Sequence, residues 1–176
     1  MKKLVIACIA AMAMPGSALA QNDAKVGPSE GKWEITLSGT GTSNNDFDNH
    51  SLGASGSAGQ YVTDNILVGL RQSINFADIE GGDDQTNFAT RLFGDYVFDL
   101  DRWRPFIGAS FGGIYGENVN DTFAAGPEAG VKYYADQNTF VYAQAEYQFT
   151  FKDADDADEA ADDGQYFYGV GVGFNF

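Results

Sequence analysis

From Lys32 onward, apolar side chains recur at every second position, and no helical period of 3.6 survives beyond residue 31. The alternation predicts eight strands: Lys32–Thr42, His50–Tyr61, Asn65–Ala77, Thr86–Asp99, Pro105–Gly116, Thr122–Tyr134, Thr139–Lys152 and Gln165–Phe176. Each is long enough to cross a bilayer at a tilt, for which about 9–11 residues suffice. Two classes of connection alternate between them. Thr63-Asp64, Leu100–Arg104 and Ala135–Asn138 are short turns with Asp or Asn chemistry, whereas SNNDFDN, DIEGGDDQ, ENVND and DADDADEAADDG are longer and polar. Short turns at one end and long loops at the other are the organisation of a membrane barrel, and an even strand count puts both termini on the short-turn side.

One face of these strands carries Trp33, Ile35, Leu37, Val68, Leu70, Leu92, Ile107, Phe111, Val141, Val170 and Phe174. The other carries Glu34, Thr36, Ser38, Arg71, Asn75, Arg91, Asp95, Ser110, Glu128, Lys132, Gln144, Glu146 and Gln148 among many glycines. A sandwich would bury the first face, and a membrane barrel would bury the second. Aromatics gathered near strand ends, such as Trp33, Tyr96, Tyr115, Tyr133 and Tyr168, fit membrane-interface girdles. The near balance of charge on the polar face fits a closed interior in which ions pair. Closure also removes the edges that would make such strands aggregate. The expected fold is an all-β, eight-stranded antiparallel up-and-down transmembrane β-barrel. Two segments fit less well. The Gly-, Ala- and Ser-rich His50–Tyr61 leaves its register weakly specified, and Pro127 implies a bulge or shortened sixth strand.

Residues 1–20 change the picture of location. Lys2 and Lys3 precede an apolar run from Leu4 to Met14, broken by Pro15-Gly16, and Ala18-Leu19-Ala20 offers a cleavage site. This is the pattern of a secretory signal peptide. Cys8 lies inside the apolar run, which argues against a lipid-anchored start, and no cysteine follows it. Residues 21–31 read as a flexible lead-in and 32–176 as the barrel domain. Removing Lys2 and Lys3 from the 10 basic residues leaves 8 against 25 acidic ones, a formal charge of −17. That acidity excludes nucleic acid as a partner, because phosphates would be repelled.

RPFIGASFGGIYG and GPEAGVKYYADQNTFVYAQAEYQFTF resemble the later hairpins of small outer-membrane β-barrels: the OmpA transmembrane domain, OmpX and OmpW-like barrels. Tyr168-x-Val170-x-Val172-x-Phe174-x-Phe176 is similar to the C-terminal strand read by the outer-membrane assembly machinery. The resemblance implies a monomer in the outer membrane of a Gram-negative bacterium, in contact with membrane lipid and lipopolysaccharide. It implies no activity.

Three sets of residues could carry chemistry. The inward charges Glu34, Arg71, Arg91, Asp95, Glu128, Lys132 and Glu146 would either line a conduction path or plug the lumen as pairs. Eight strands enclose a space that side chains just fill, so the plug is the expectation. Asp153, Asp155, Asp156, Asp158, Glu159, Asp162 and Asp163 could attract divalent cations loosely, but Ala157 breaks the EF-hand spacing, and no defined metal or cofactor site is expected. Small barrels that modify lipid use a His with Ser and a carboxylate. Here the only histidine, His50, has Ser51, Asp46 and Asp48 as mere sequence neighbours, and no catalytic residue is assigned. A structural, surface-interacting barrel is the leading function, with a narrow channel and a lipid-modifying enzyme as alternatives.

Overall fold

The computed structural model describes residues 26–44, 50–77, 85–116, 119–151 and 164–176. The strands are β1 (Trp33–Asn44), β2 (His50–Tyr61), β3 (Ile66–Ala77), β4 (Gln85–Val97), β5 (Trp103–Gly116), β6 (Val119–Tyr134), β7 (Thr139–Phe151) and β8 (Gln165–Asn175). Each pairs antiparallel with its sequence neighbour, and β1 pairs with β8, so the sheet is a closed eight-stranded barrel. Closure extends past the strands, since the Trp33 N–H donates to the Phe176 carbonyl at 2.9 Å and the Phe176 N–H returns the bond at 3.0 Å.

Parity decides which side chain goes where. Leu37, Leu70, Leu92, Ile107, Val170 and Val172 face outward and remain exposed, whereas Glu34, Arg71, Arg91, Glu128, Lys132 and Glu146 are buried inside. The short turns are closed by their own side chains. Thr63 Oγ1 accepts from the N–H of Ile66 at 3.0 Å. Asp136 Oδ1 accepts from the N–H groups of Asn138 and Thr139, both at 2.8 Å. Asp101 takes a left-handed conformation (φ 62°) in the turn before β5, which Asp tolerates better than most residues.

Three expectations need correction. The β2 register is unbroken from Ser43↔His50 to Trp33↔Gln60, because the strand is paired along both edges, to β1 and to β3. At Pro127 the strand is neither bulged nor shortened. The β6–β7 ladder skips Gly126 and Pro127 and resumes in the same register, from Ala125↔Phe149 to Glu128↔Glu146. The irregularity lies instead between Ile114 and Gly116, near the loop end of β5–β6. Finally, the described part of the lead-in is packed. Pro28 is fully buried, the Gly27 N–H donates to the Gln137 carbonyl at 3.0 Å, and the Gly31 N–H donates to the Tyr61 carbonyl at 2.8 Å.

The inward glycines do more than leave room for charged groups. Phe93 lies opposite Gly69, Phe106 opposite Gly130 and Phe140 opposite Gly173. A Cβ built on any of these glycines would run into the facing ring. Gly173→Val should therefore destabilise the barrel by about 1–3 kcal/mol through overpacking. Phe140→Ala in the same chain should recover part of that loss, measured as the urea midpoint of the gel-mobility transition. No recovery would mean that Gly173 serves the backbone and not the ring.

Candidate functional site

The lumen is stratified. Toward the short-turn end, Tyr61, Leu67, Phe93, Val97 and Phe106 form one apolar cluster, and Tyr134, Phe140 and Tyr142 form another with Val26 packed against it. Two ionic clusters accompany these rings, the first in mid-barrel and the second among the rings themselves. In the first, Arg71 holds Glu128 with two hydrogen bonds, Nη1 at 2.6 Å and Nη2 at 3.0 Å, and reaches Glu146 at 3.4 Å. Arg91 Nη1 donates to both oxygens of Glu146 at 2.8 Å, and Ser110 Oγ donates to Glu146 Oε1 at 2.5 Å. In the second, Lys132 Nζ donates to the Glu34 carboxylate at 2.6 and 2.8 Å. Tyr61 and Asn175 also donate to Glu34, at 3.0 and 3.2 Å.

Every one of these cations also faces an inward ring. Arg71 lies 4.8 Å from the Phe93 centroid and Arg91 lies 4.8 Å from that of Phe167. Lys132 sits 5.2–5.6 Å from the rings of Phe140, Phe106 and Tyr61. Desolvated cation–π contacts of this kind contribute about 2 kcal/mol. Between the clusters, a cavity of about 10 Å³ is lined by Glu34, Arg71, Asp95, Lys132 and Gln144, among others. That is room for about one water molecule. Asp95 Oδ1, which has no partner among the described residues, is one of the groups such a water would satisfy.

The seven charges that alternation assigns to the inner face are all buried, and an eighth joins them. Arg104 is 1 % exposed, lies 5.6 Å from the Tyr134 centroid and pairs with Asp99 at 2.8 Å. With it, four buried cations (Arg71, Arg91, Arg104, Lys132) stand against four buried carboxylates (Glu34, Asp95, Glu128, Glu146) among the described residues. Arg104 Nη2 also donates to the Val26 carbonyl at 2.5 Å. Gly27 turns there with φ +85°, and a Cβ on it would stand 2.5 Å from Arg104 Nε. Residues 26–31 thus cross the short-turn mouth as a strap fastened from inside.

Other candidates receive less. His50 opens β2, but its side chain, Ser51's, and residues Asp46 and Asp48 lie outside the described residues, as does the acidic run 153–163. Among the described residues no three His, Cys, Asp or Glu side chains gather as a metal site. A hollow of about 930 Å³ lies over β3–β8, lined on the lipid side by Ile66, Gly94, Tyr96, Ala109, Pro127 and Tyr147.

Comparison with known proteins places the fold. No family model and no curated protein sequence matches the chain. Among solved structures, the N-terminal β-barrel domain of Pseudomonas aeruginosa OprF is 23 % identical, with a TM-score of 0.56, covering 85 % of this chain and 100 % of that one. The outer membrane protein OprG from Pseudomonas aeruginosa is 10 % identical, with a TM-score of 0.63, covering 85 % and 98 %. Yersinia pestis Ail, in complex with the heparin analogue sucrose octasulfate, is 16 % identical, with a TM-score of 0.56, covering 84 % and 99 %. The chain has the fold of these small outer-membrane barrels, which bears out the resemblance at the level of fold.

Proposed function

We propose that this is an integral outer-membrane barrel of a Gram-negative bacterium, exported with a signal peptide cleaved after Ala20 and inserted by the assembly machinery reading β8. Its lumen is shut to solutes, and it acts without catalysis, as a monomeric envelope component whose acidic loops meet partners at the surface. The observation that carries this reading is the lumen itself. Two ionic clusters, an aromatic floor and a fastened strap occupy it, and the space between the clusters is about 10 Å³. A solute path would require at least the Arg71–Glu128 and Lys132–Glu34 pairs to part, and breaking a buried pair costs about 3–5 kcal/mol.

Loop chemistry narrows the partners. Seven carboxylates between Asp153 and Asp163, in a chain of net charge −15, favour cationic groups and loose divalent cations. A polysulfate such as the one bound to Ail would be repelled. The barrel should run faster on gels before boiling than after, since closed backbone hydrogen bonding resists detergent until heated. In planar bilayers the wild type should stay at background conductance. Steady wild-type conductance would transfer the reading to a narrow channel, and recovery of the unboiled protein in the soluble periplasm would sink it.

A further inference from the structure

Three polar side chains interrupt the apolar outer face, and they form a closed ring. Thr90 Oγ1 donates to Gln72 Oε1 at 2.5 Å, and Gln72 Nε2 donates to Tyr115 Oη at 3.1 Å. The Thr90 and Tyr115 oxygens are 2.9 Å apart. Because the single Thr90 proton is spent on Gln72, Tyr115 is the donor to Thr90. Each hydroxyl therefore donates once and accepts once. What the ring leaves open can be counted: the second N–H of Gln72, its second Oε1 lone pair, and one lone pair on each hydroxyl. One donor and three acceptors face outward.

Depth makes this consequential. Gln72 pairs with Thr90, one repeat nearer the barrel's middle than the Phe88↔Tyr115 pair. One repeat is about 6.8 Å along a strand, or about 5 Å along the membrane normal at a tilt of about 40°. Tyr115 and Phe88, stacked at 6.2 Å, belong to the aromatic girdle at headgroup level on the long-loop side. The ring thus opens at the level where acyl chains join their headgroups. Below it lie the exposed Leu70 and Leu92, a surface for the chains themselves. Beside it, Gly113 opposite Thr90 has open space where a Cβ would be. Unmet acceptors at this boundary are met either by water or by lipid, and a lipid competes there only if it brings donors of its own. An ester linkage brings none. An amide-linked, hydroxylated acyl chain brings an N–H, an O–H and a carbonyl for the one free donor.

We propose that Gln72, Thr90 and Tyr115 form a lipid-facing seat for the amide-linked hydroxyacyl chains of lipopolysaccharide. This rests on the outer-membrane reading above and gives it a specific lipid contact. The test is native mass spectrometry of the folded protein with lipid A, a lipid A analogue lacking the acyl hydroxyls, and phosphatidylethanolamine. The wild type should retain lipid A about tenfold over phosphatidylethanolamine, as two additional hydrogen bonds would give, with the analogue between them. Gln72→Leu/Thr90→Val/Tyr115→Phe should bring lipid A down to the phosphatidylethanolamine level. Should the triple variant not fold, Tyr115→Phe, which keeps the ring against Phe88, should still lose about threefold. Equal retention of lipid A and its analogue, or variants that bind as wild type, would overturn the seat while leaving the barrel reading intact. Failure of the wild type to fractionate with the outer membrane would overturn the barrel reading instead.

Discussion

Glu146→Ala should lower the unfolding free energy by about 3–5 kcal/mol, the cost of stranding a buried charge. Glu146 is 1 % exposed and takes both of its close arginine bonds from Arg91 Nη1, while Arg91 Nη2 has, among the described residues, Ser73 at 3.5 Å. Arg71 would suffer less, because its bidentate partner Glu128 remains. The effect should therefore come mainly through Arg91, and Arg91→Ala should cost a similar amount by leaving Glu146 with the 3.4 Å contact to Arg71 and the Ser110 hydroxyl. The decisive variant is the double one. Arg91→Met/Glu146→Leu removes both charges and keeps most of the volume, so it should recover most of the loss, since apolar replacements of buried pairs are often neutral or better. Urea titrations of this double variant and of its two constituent singles, Arg91→Met and Glu146→Leu, read this as a coupling energy of several kcal/mol. Additive losses would mean that the two residues stabilise the barrel through separate contacts.

Such a network was only half legible in the sequence. Alternation assigned Arg71, Arg91, Glu128, Lys132 and Glu146 to one face, and closure then forced them together. Which cation meets which carboxylate was not legible, because Arg71 on β3 and Glu128 on β6 belong to strands that do not pair, so their contact is set by the lumen and not by the ladder. The inward aromatics were missed for a different reason. A rule that sends apolar residues outward has no place for Phe93, Phe106, Phe140 and Phe167, yet all are buried. Parity could have found them. Once Ile107 and Phe111 face lipid, Phe106 must face inward with Arg104. Each of Phe93, Phe106 and Phe140 has a glycine directly opposite on a neighbouring strand. The strap was missed because Gly27-Pro28 reads as a breaker, and only the Arg104 guanidinium beneath it reveals why a residue without a Cβ stands there.

Phe176→Asp should reduce the outer-membrane level of the protein at least tenfold in cells while leaving refolding into detergent close to wild type. The two halves of this expectation come from different physics. Phe176 joins the barrel through its backbone, with reciprocal hydrogen bonds to Trp33 at 2.9 and 3.0 Å that any side chain permits. Its ring is 54 % exposed and stacks on Phe174 at 6.3 Å, a contribution of about 0.5–1.5 kcal/mol. Pairing with Trp33 puts it in the interfacial girdle, where a charge on the lipid face costs about 0–1 kcal/mol, against about 2–4 at the midplane. Together these losses are too small to unfold a closed barrel. A steep loss in cells therefore has to arise before folding, when the alternating Tyr168, Val170, Val172, Phe174 and Phe176 are read as an unpaired strand. Phe176→Tyr, which keeps the aromatic face, should assemble normally. Equal losses in the cell and in refolding would make Phe176 a structural residue. Normal levels of Phe176→Asp in the outer membrane would show that the assembly machinery does not depend on an aromatic group at this position.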